Sequence, residues 1–219
     1  MEAWQNEVRE NGYVFLRAHR ATEFTRDRIE QFGPIADLAE VRAVQELTPK
    51  TRGQSTPNTY SGRYGHGQFP LHTDLAHWGR PPRYLVLRCK AGSAQVTTAL
   101  LDGRVLVEAV GEKLLFRSVV RSRRPVSGVV RRMRLLVPME QNYLLRWDDE
   151  YLRPASAAAA EGMKSVVTAL GSIRPRLIAL CEPGDTIIVD NWRMLHGRSA
   201  VAPEHAGRLI QRAYLEALN

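Results

Sequence analysis

The chain has 219 residues, enough for one compact domain that buries roughly 70% of its unfolded-chain surface and short for two. Hydrophobic residues make up 44% and charged residues 25%, a balance that excludes wholesale disorder. The net charge of +8 is carried almost entirely by arginine, whose planar fork suits carboxylate, sulfonate or phosphate partners.

The first seven residues have neither a basic n-region nor an apolar h-region, so no signal peptide is expected. Residues 12–17, Gly-Tyr-Val-Phe-Leu-Arg, read as a short strand, and residues 22–32 as a helix stopped by Gly33-Pro34. From 47 to 70 the chain is polar and punctuated by Pro49, Gly53, Pro57, Gly62, Gly65 and Gly67. A loop this long in a compact domain is expected to be a functional lid. Its Gly62-Arg63-Tyr64-Gly65-His66-Gly67 run lacks the Lys-Ser/Thr of a phosphate loop. β-rich runs come next at 84–88, 96–101, 113–120, 129–137 and 143–147, most of them separated by turn residues, which predicts a sandwich or barrel. The longest apolar stretch, 97–111, contains Asp102, Arg104 and Glu108 and cannot be a membrane helix.

Between 117 and 134 lie Arg117, Arg121, Arg123, Arg124, Arg131, Arg132 and Arg134. Two readings stand: solvated strand ends joined by the turn at Pro125-Val126-Ser127-Gly128, or a surface for nucleic acid or another anionic partner. Asp148-Asp149-Glu150 reads as a solvated turn. An alanine-rich amphipathic helix is predicted over 155–170, a second helical turn over 174–180, and strands over 186–190 and 208–216. Neither repeats nor an interdomain linker interrupt residues 1–219, so a single domain is expected. Cys89 and Cys181 make neither a disulfide framework nor a zinc site, and a reducing cytoplasm is the expected compartment.

The chemistry centres on His72-Thr73-Asp74 and His196. Positions i and i+2 of a strand share a face, so His72 and Asp74 can reach one metal while Thr73 points away. Two imidazoles and a carboxylate occupy one face of an octahedral iron and leave three positions open. His77 is the alternative ligand in a different register. Trp78, Trp147 and Trp192 read as core or rim aromatics.

The segment from Glu182-Pro183-Gly184-Asp185 through Ile187-Ile188-Val189-Asp190-Asn191 to Leu195-His196-Gly197-Arg198 resembles the taurine dioxygenase-like, clavaminate synthase-like iron(II)/2-oxoglutarate oxygenases. His72-Thr73-Asp74-Leu75, Pro81-Pro82 and Leu85-Val86-Leu87-Arg88-Cys89 are similar to that family's first iron-ligand strand and the chain directly after it, and the motif order holds over 68–215. The resemblance implies a mainly β fold with flanking helices, a double-stranded β-helix whose mouth holds Fe(II) on His72, Asp74 and His196. It implies 2-oxoglutarate bound by Arg208, twelve residues past His196, with Thr98 or its neighbour Thr97 as second ligand to the carboxylate. Arg212 takes the place of a substrate-anion arginine, and Gln68 that of a substrate-contacting amide. Asp190-Asn191 is expected to shape the chain before His196. The implied reaction consumes O2, releases succinate and CO2, and oxidises a C–H bond of a small anionic or amino-acid-like substrate, by default to an alcohol. Asp74 argues against halogenation, because the related halogenases lack that carboxylate. The rival function is a nucleic-acid-directed oxygenase or binder that uses the arginines of 117–134.

Overall fold

A computed structural model describes residues 2–39, 41–139 and 142–219. Helix α1 (Ala3–Asn11) ends at Gly12, whose φ of 81° turns the chain into strand β1 (Tyr13–Leu16). Helix α2 (Thr25–Phe32) and strand β2 (Gln45–Leu47) come next. The polar segment after β2 holds one 3₁₀ turn and helix α3 (Tyr60–Tyr64), then β3 (Phe69–His72), β4 (Tyr84–Ala91) and β5 (Thr97–Asp102) begin the barrel. Helices α4 (Gly103–Val110) and α5 (Glu112–Arg117) precede β6 (Val119–Ser122), β7 (Arg132–Arg134), β8 (Leu136–Met139), β9 (Asn142–Leu145) and β10 (Leu152–Pro154). Helix α6 (Ala157–Ser172) leads to β11 (Arg176–Ala179), β12 (Thr186–Asp190), β13 (Met194–Arg198) and β14 (Leu209–Leu215).

Two antiparallel sheets form the body. The larger runs β1-β12-β4-β14-β2 and the smaller β11-β5-β13-β3. Their facing sides bury Leu85, Leu87, Leu100, Ile187, Val189, Met194 and Ile210. The intervening positions Val86, Ile188 and Ala213 turn to the other face of the larger sheet, where Val8 of α1 and Ile29 and Phe32 of α2 cover them. Period-two alternation with both sides apolar makes β12 a central strand, all five of its residues buried. A third cluster, with Leu106, Leu115, Trp147, Met163 and Val166, packs α4, α5 and α6 against the β6–β10 region. Each such side chain contributes about 1.5–3 kcal/mol by leaving water. The architecture is mainly β with flanking helices, two sheets facing each other as a jelly roll. Among the described residues no helix is long and apolar enough to cross a membrane.

Three expectations need correction. Residues 113–120 do not form one strand: α5 takes Glu112–Arg117, since Lys, Leu and Leu favour a helix that buries Leu115, and only Val119 and Val120 enter a strand. Residues 174–180 are not helical: Pro175 forces extension, and Arg176–Ala179 pair with β5, Ile178 opposite Thr98. The 129–137 run is two short strands that belong to different sheets. Helices α1 and α4 arise where no helix is predicted.

Candidate active site

His72 ends β3, and His196 lies opposite it in β13, the two directly paired in register. The close approach depends on Gly197, where a Cβ would come within 2.7 Å of the Phe69 carbonyl oxygen. Asp74 lies beyond the end of β3, so a shared strand face does not aim it. Its backbone is clamped instead by Asn191, whose Oδ1 accepts from the Asp74 amide at 2.7 Å while Nδ2 donates to the Asp74 carbonyl at 3.0 Å. Leu75, with φ of 55°, then turns the chain away. The Asp74 Oδ1 sits 3.4 Å from His72 Nε2 and 3.7 Å from His196 Nε2, and one donor atom from each of the three lies within 4.8 Å of the others. The Nδ1 of His72 is 2.9 Å from the Pro70 carbonyl; assigning that nitrogen as the N–H donor leaves Nε2 free as a ligand. Tyr60 stacks on the His72 ring at 4.3 Å.

Charge within this cluster is ordered. Burial would raise the Asp74 carboxyl, but Arg212, His196 and His72 together hold it well below the usual range, so it is a carboxylate. Burial pushes His196 down to about 3, helped by the neighbouring His72, which keeps its imidazole neutral. At His72 burial is outweighed by the hydrogen bond and charge of Asp74, which raise it. Two imidazole nitrogens and one carboxylate oxygen converging in a buried recess fit a divalent iron with open positions.

The three donors open on a cavity of about 570 Å³. Arg208 and Thr98 line it, both buried. Thr97 does not line it; its amide hydrogen bonds the Ser199 hydroxyl at 3.0 Å. Among the described residues the Arg208 guanidinium has no carboxylate partner, and its buried Nε has no acceptor. Burying an unpaired cation is costly, so a cationic fork beside a metal triad fits a site that receives an anion. Arg212 also lines the cavity, but its Nη1 donates to Asp74 Oδ2 at 3.0 Å and its Nη2 to Gln45 at 2.7 Å. Gln68 is exposed and does not line the cavity, so the structure does not bring it to the site.

The sequence reading missed Tyr60, Tyr151, Tyr214 and Asp148, all of which line the same cavity. Asp148 is not part of a solvated turn: it is 2% exposed, accepts from the amides of Glu150 and Tyr151, and burial pushes its carboxyl up to about 6. The signal available was its place directly after the β-rich run 143–147. His77 lines the cavity without joining the triad; burial lowers it to about 4, and its ring stacks on Tyr151 at 4.9 Å. Trp147 and Trp192 are buried, as expected of core aromatics.

The family model described as "Taurine catabolism dioxygenase TauD, TfdA family" matches residues 111–214, a span that includes His196, Arg208 and Arg212 and leaves His72 and Asp74 outside. The chain is 25% identical over 234 residues to the L-lysine 3-hydroxylase of Catenulispora acidiphila, covering 84% of this chain and 63% of that protein. It is 26% identical over 160 residues to clavaminate synthase 2 of Streptomyces clavuligerus, covering 66% of this chain and 49% of that one. The chain thus spans 49% and 63% of these relatives' lengths, less than two thirds of either. In fold it is similar to an asparagine oxygenase solved with Fe(II), 2S,3S-3-hydroxyasparagine and succinate, with a TM-score of 0.70 at 17% identity over 97% of this chain and 77% of the other.

Proposed function

We propose that this chain, a member of the TauD/TfdA family, is an iron(II)- and 2-oxoglutarate-dependent oxygenase that hydroxylates a C–H bond of an amino acid or similar small anionic substrate. The observation that carries the reading is the buried His72, Asp74 and His196 triad sharing one cavity with a buried Arg208 that has no carboxylate partner among the described residues. Fe(II) would be held by the three donors and, with 2-oxoglutarate and O2, would supply the oxidising chemistry that yields succinate and CO2. Arg208 offers its fork to the far carboxylate of 2-oxoglutarate, with the Thr98 hydroxyl as second contact. Asp74, held ionised, adds the negative charge that favours a divalent cation. The segment 47–70 covers the mouth as a lid, its Tyr60 over His72 and its Asn58 carbonyl accepting from the Tyr151 hydroxyl at 2.6 Å. Closed, it excludes water from the reacting site.

The amino-acid reading of the substrate rests on the relative named for lysine hydroxylation and on the carboxylate Asp148 and cation Arg212 in the cavity wall. An α-amino acid carries one group for each. We place the reaction in a single domain and in a reducing cytoplasm. The test is an anaerobic titration of Fe(II) and 2-oxoglutarate into the metal-free protein, watching for the weak visible charge-transfer band of the chelate. The band is expected in the parent and absent in His72→Ala. A folded parent that never develops it would leave a barrel that binds ligands without oxidising them.

A further inference from the structure

The two oxygens of Asp74 have different surroundings. Oδ1 lies among the histidine Nε2 atoms, at 3.4 and 3.7 Å. Oδ2 faces the opposite way and accepts two hydrogen bonds, from the Tyr214 hydroxyl at 2.9 Å and from Arg212 Nη1 at 3.0 Å. Both donors belong to β14 at positions i and i+2, so they share the face of the larger sheet that looks across the barrel at β3 and β13. Tyr214 sits 2% exposed in the apolar cluster between the sheets, among Leu85, Leu87 and Ile210. Phenylalanine would fill that space as well. The phenol oxygen is therefore the feature that packing does not explain, and its hydrogen bond to Asp74 is its one partner among the described residues.

A carboxylate beyond a strand end, free to rotate, can meet a metal with one oxygen or two. The second choice would consume a coordination position that 2-oxoglutarate or O2 needs. We propose that Tyr214, together with Arg212, is the positioning residue that holds Asp74 as a one-oxygen ligand. The inference rests on the metal-site reading of His72, Asp74 and His196 and deepens it. Arg212 divides its donors between Asp74 and Gln45, and it is also the group a substrate carboxylate would approach. Tyr214 has no such second task, so it is the donor that keeps Oδ2 engaged whether or not substrate is bound. Groups that orient a metal ligand in this way typically change metal affinity about 10–100-fold when removed.

The test titrates Co(II), in place of Fe(II), into the metal-free parent and Tyr214→Phe, monitoring the visible d–d bands. Tyr214→Phe is expected to bind Co(II) about ten-fold more weakly. Its bands should also lose intensity, as the freed carboxylate adds a second oxygen and raises the coordination number. A purely packing role for Tyr214 would not move that spectrum. Equal affinity and identical bands in parent and Tyr214→Phe overturn the proposal while the metal site stands. A parent that binds no Co(II) overturns both. Should Tyr214→Phe fail to fold, Tyr214→Met fills the apolar space without a hydroxyl, and unchanged affinity and bands in that variant overturn the proposal in the same way.

Discussion

Arg208 is a cation buried to 7% exposure with no acid beside it among the described residues, an arrangement that costs stability unless an anion arrives. Removing it should therefore damage cosubstrate binding and little else. Arg208→Ala is expected to raise the 2-oxoglutarate requirement at least ten-fold, the equivalent of about 1.5–3 kcal/mol for a charged hydrogen bond, with Co(II) affinity unchanged. Isothermal titration with each ligand separates the two effects, and an equal loss of both would remove Arg208 from the cosubstrate site. Asp148 makes a different prediction. Its folded value of about 6 lies above the usual 3.8, so ionising it disfavours the fold, and stability falls as pH rises through that interval. In metal-free protein, Asp148→Asn keeps an oxygen for the Glu150 and Tyr151 amides and removes the charge. The variant should melt higher than the parent at pH 7.5, by up to roughly 2–3 kcal/mol, and lose that advantage near pH 4. A gain independent of pH would mean that burial of the charge is not its cause. His72, Asp74, His196 and Arg208 were singled out because the motifs around them resemble one family, and the structure brings all four to one cavity. Asp148 was not: three consecutive acids look solvated, and the cavity wall it joins also holds Tyr60, nearly ninety residues away in sequence.

At the scale of elements, β4, β5 and β12 were legible from β-rich runs and punctuation, whereas α5 and β11 were not. Both are short, and both are decided by what they pack against: α5 by burial of Leu115 under α6, β11 by the open edge of β5. The segment 47–70 was legible as a loop, but its helix α3 and its attachment were not, because those depend on distant partners. Tyr64 donates to Glu150 at 2.7 Å, and Arg63 pairs with the same carboxylate at 3.0 Å. Gly62 permits this closure: a Cβ there would lie 1.9 Å from the Thr56 carbonyl oxygen, and backbone cannot give way cheaply. Gly62→Val should therefore displace α3 without disturbing β3 or β13. The expected outcome is unchanged Co(II) binding together with faster proteolysis within 47–70 and a raised substrate KM once a substrate is in hand. Weakened metal binding would instead show that Tyr60, stacked on His72, is needed to hold the triad.

Over the whole molecule the excess positive charge is unevenly placed, and its placement has an energetic consequence. In the three-stranded sheet β10-β6-β7, Arg153, Arg121 and Arg132 stand directly opposite one another. Like charges in register across a sheet repel, by about 0.2–1 kcal/mol a pair. Arg121 and Arg132 are exposed, and neither has an acidic partner among the described residues. The hairpin is rooted beside the cavity, since the Arg123 amide donates to the Tyr151 carbonyl at 2.7 Å. A net positive field reaching the mouth would favour the approach of anionic small molecules. Nothing aromatic interleaves the arginines to stack bases, which weakens the nucleic-acid reading. Arg132→Glu converts the central repulsion into attraction and should raise the melting temperature in low salt by about 1–3 °C, the shift expected of a fraction of a kcal/mol to 1 kcal/mol in a chain of this size. Because both side chains lie in water, the gain should shrink at 1 M salt, where the screening length falls to about 3 Å. A melting temperature that drops in Arg132→Glu, or a gain indifferent to salt, would mean that the arginine row is balanced by contacts within the fold. It would then not be a net positive field at the cavity mouth.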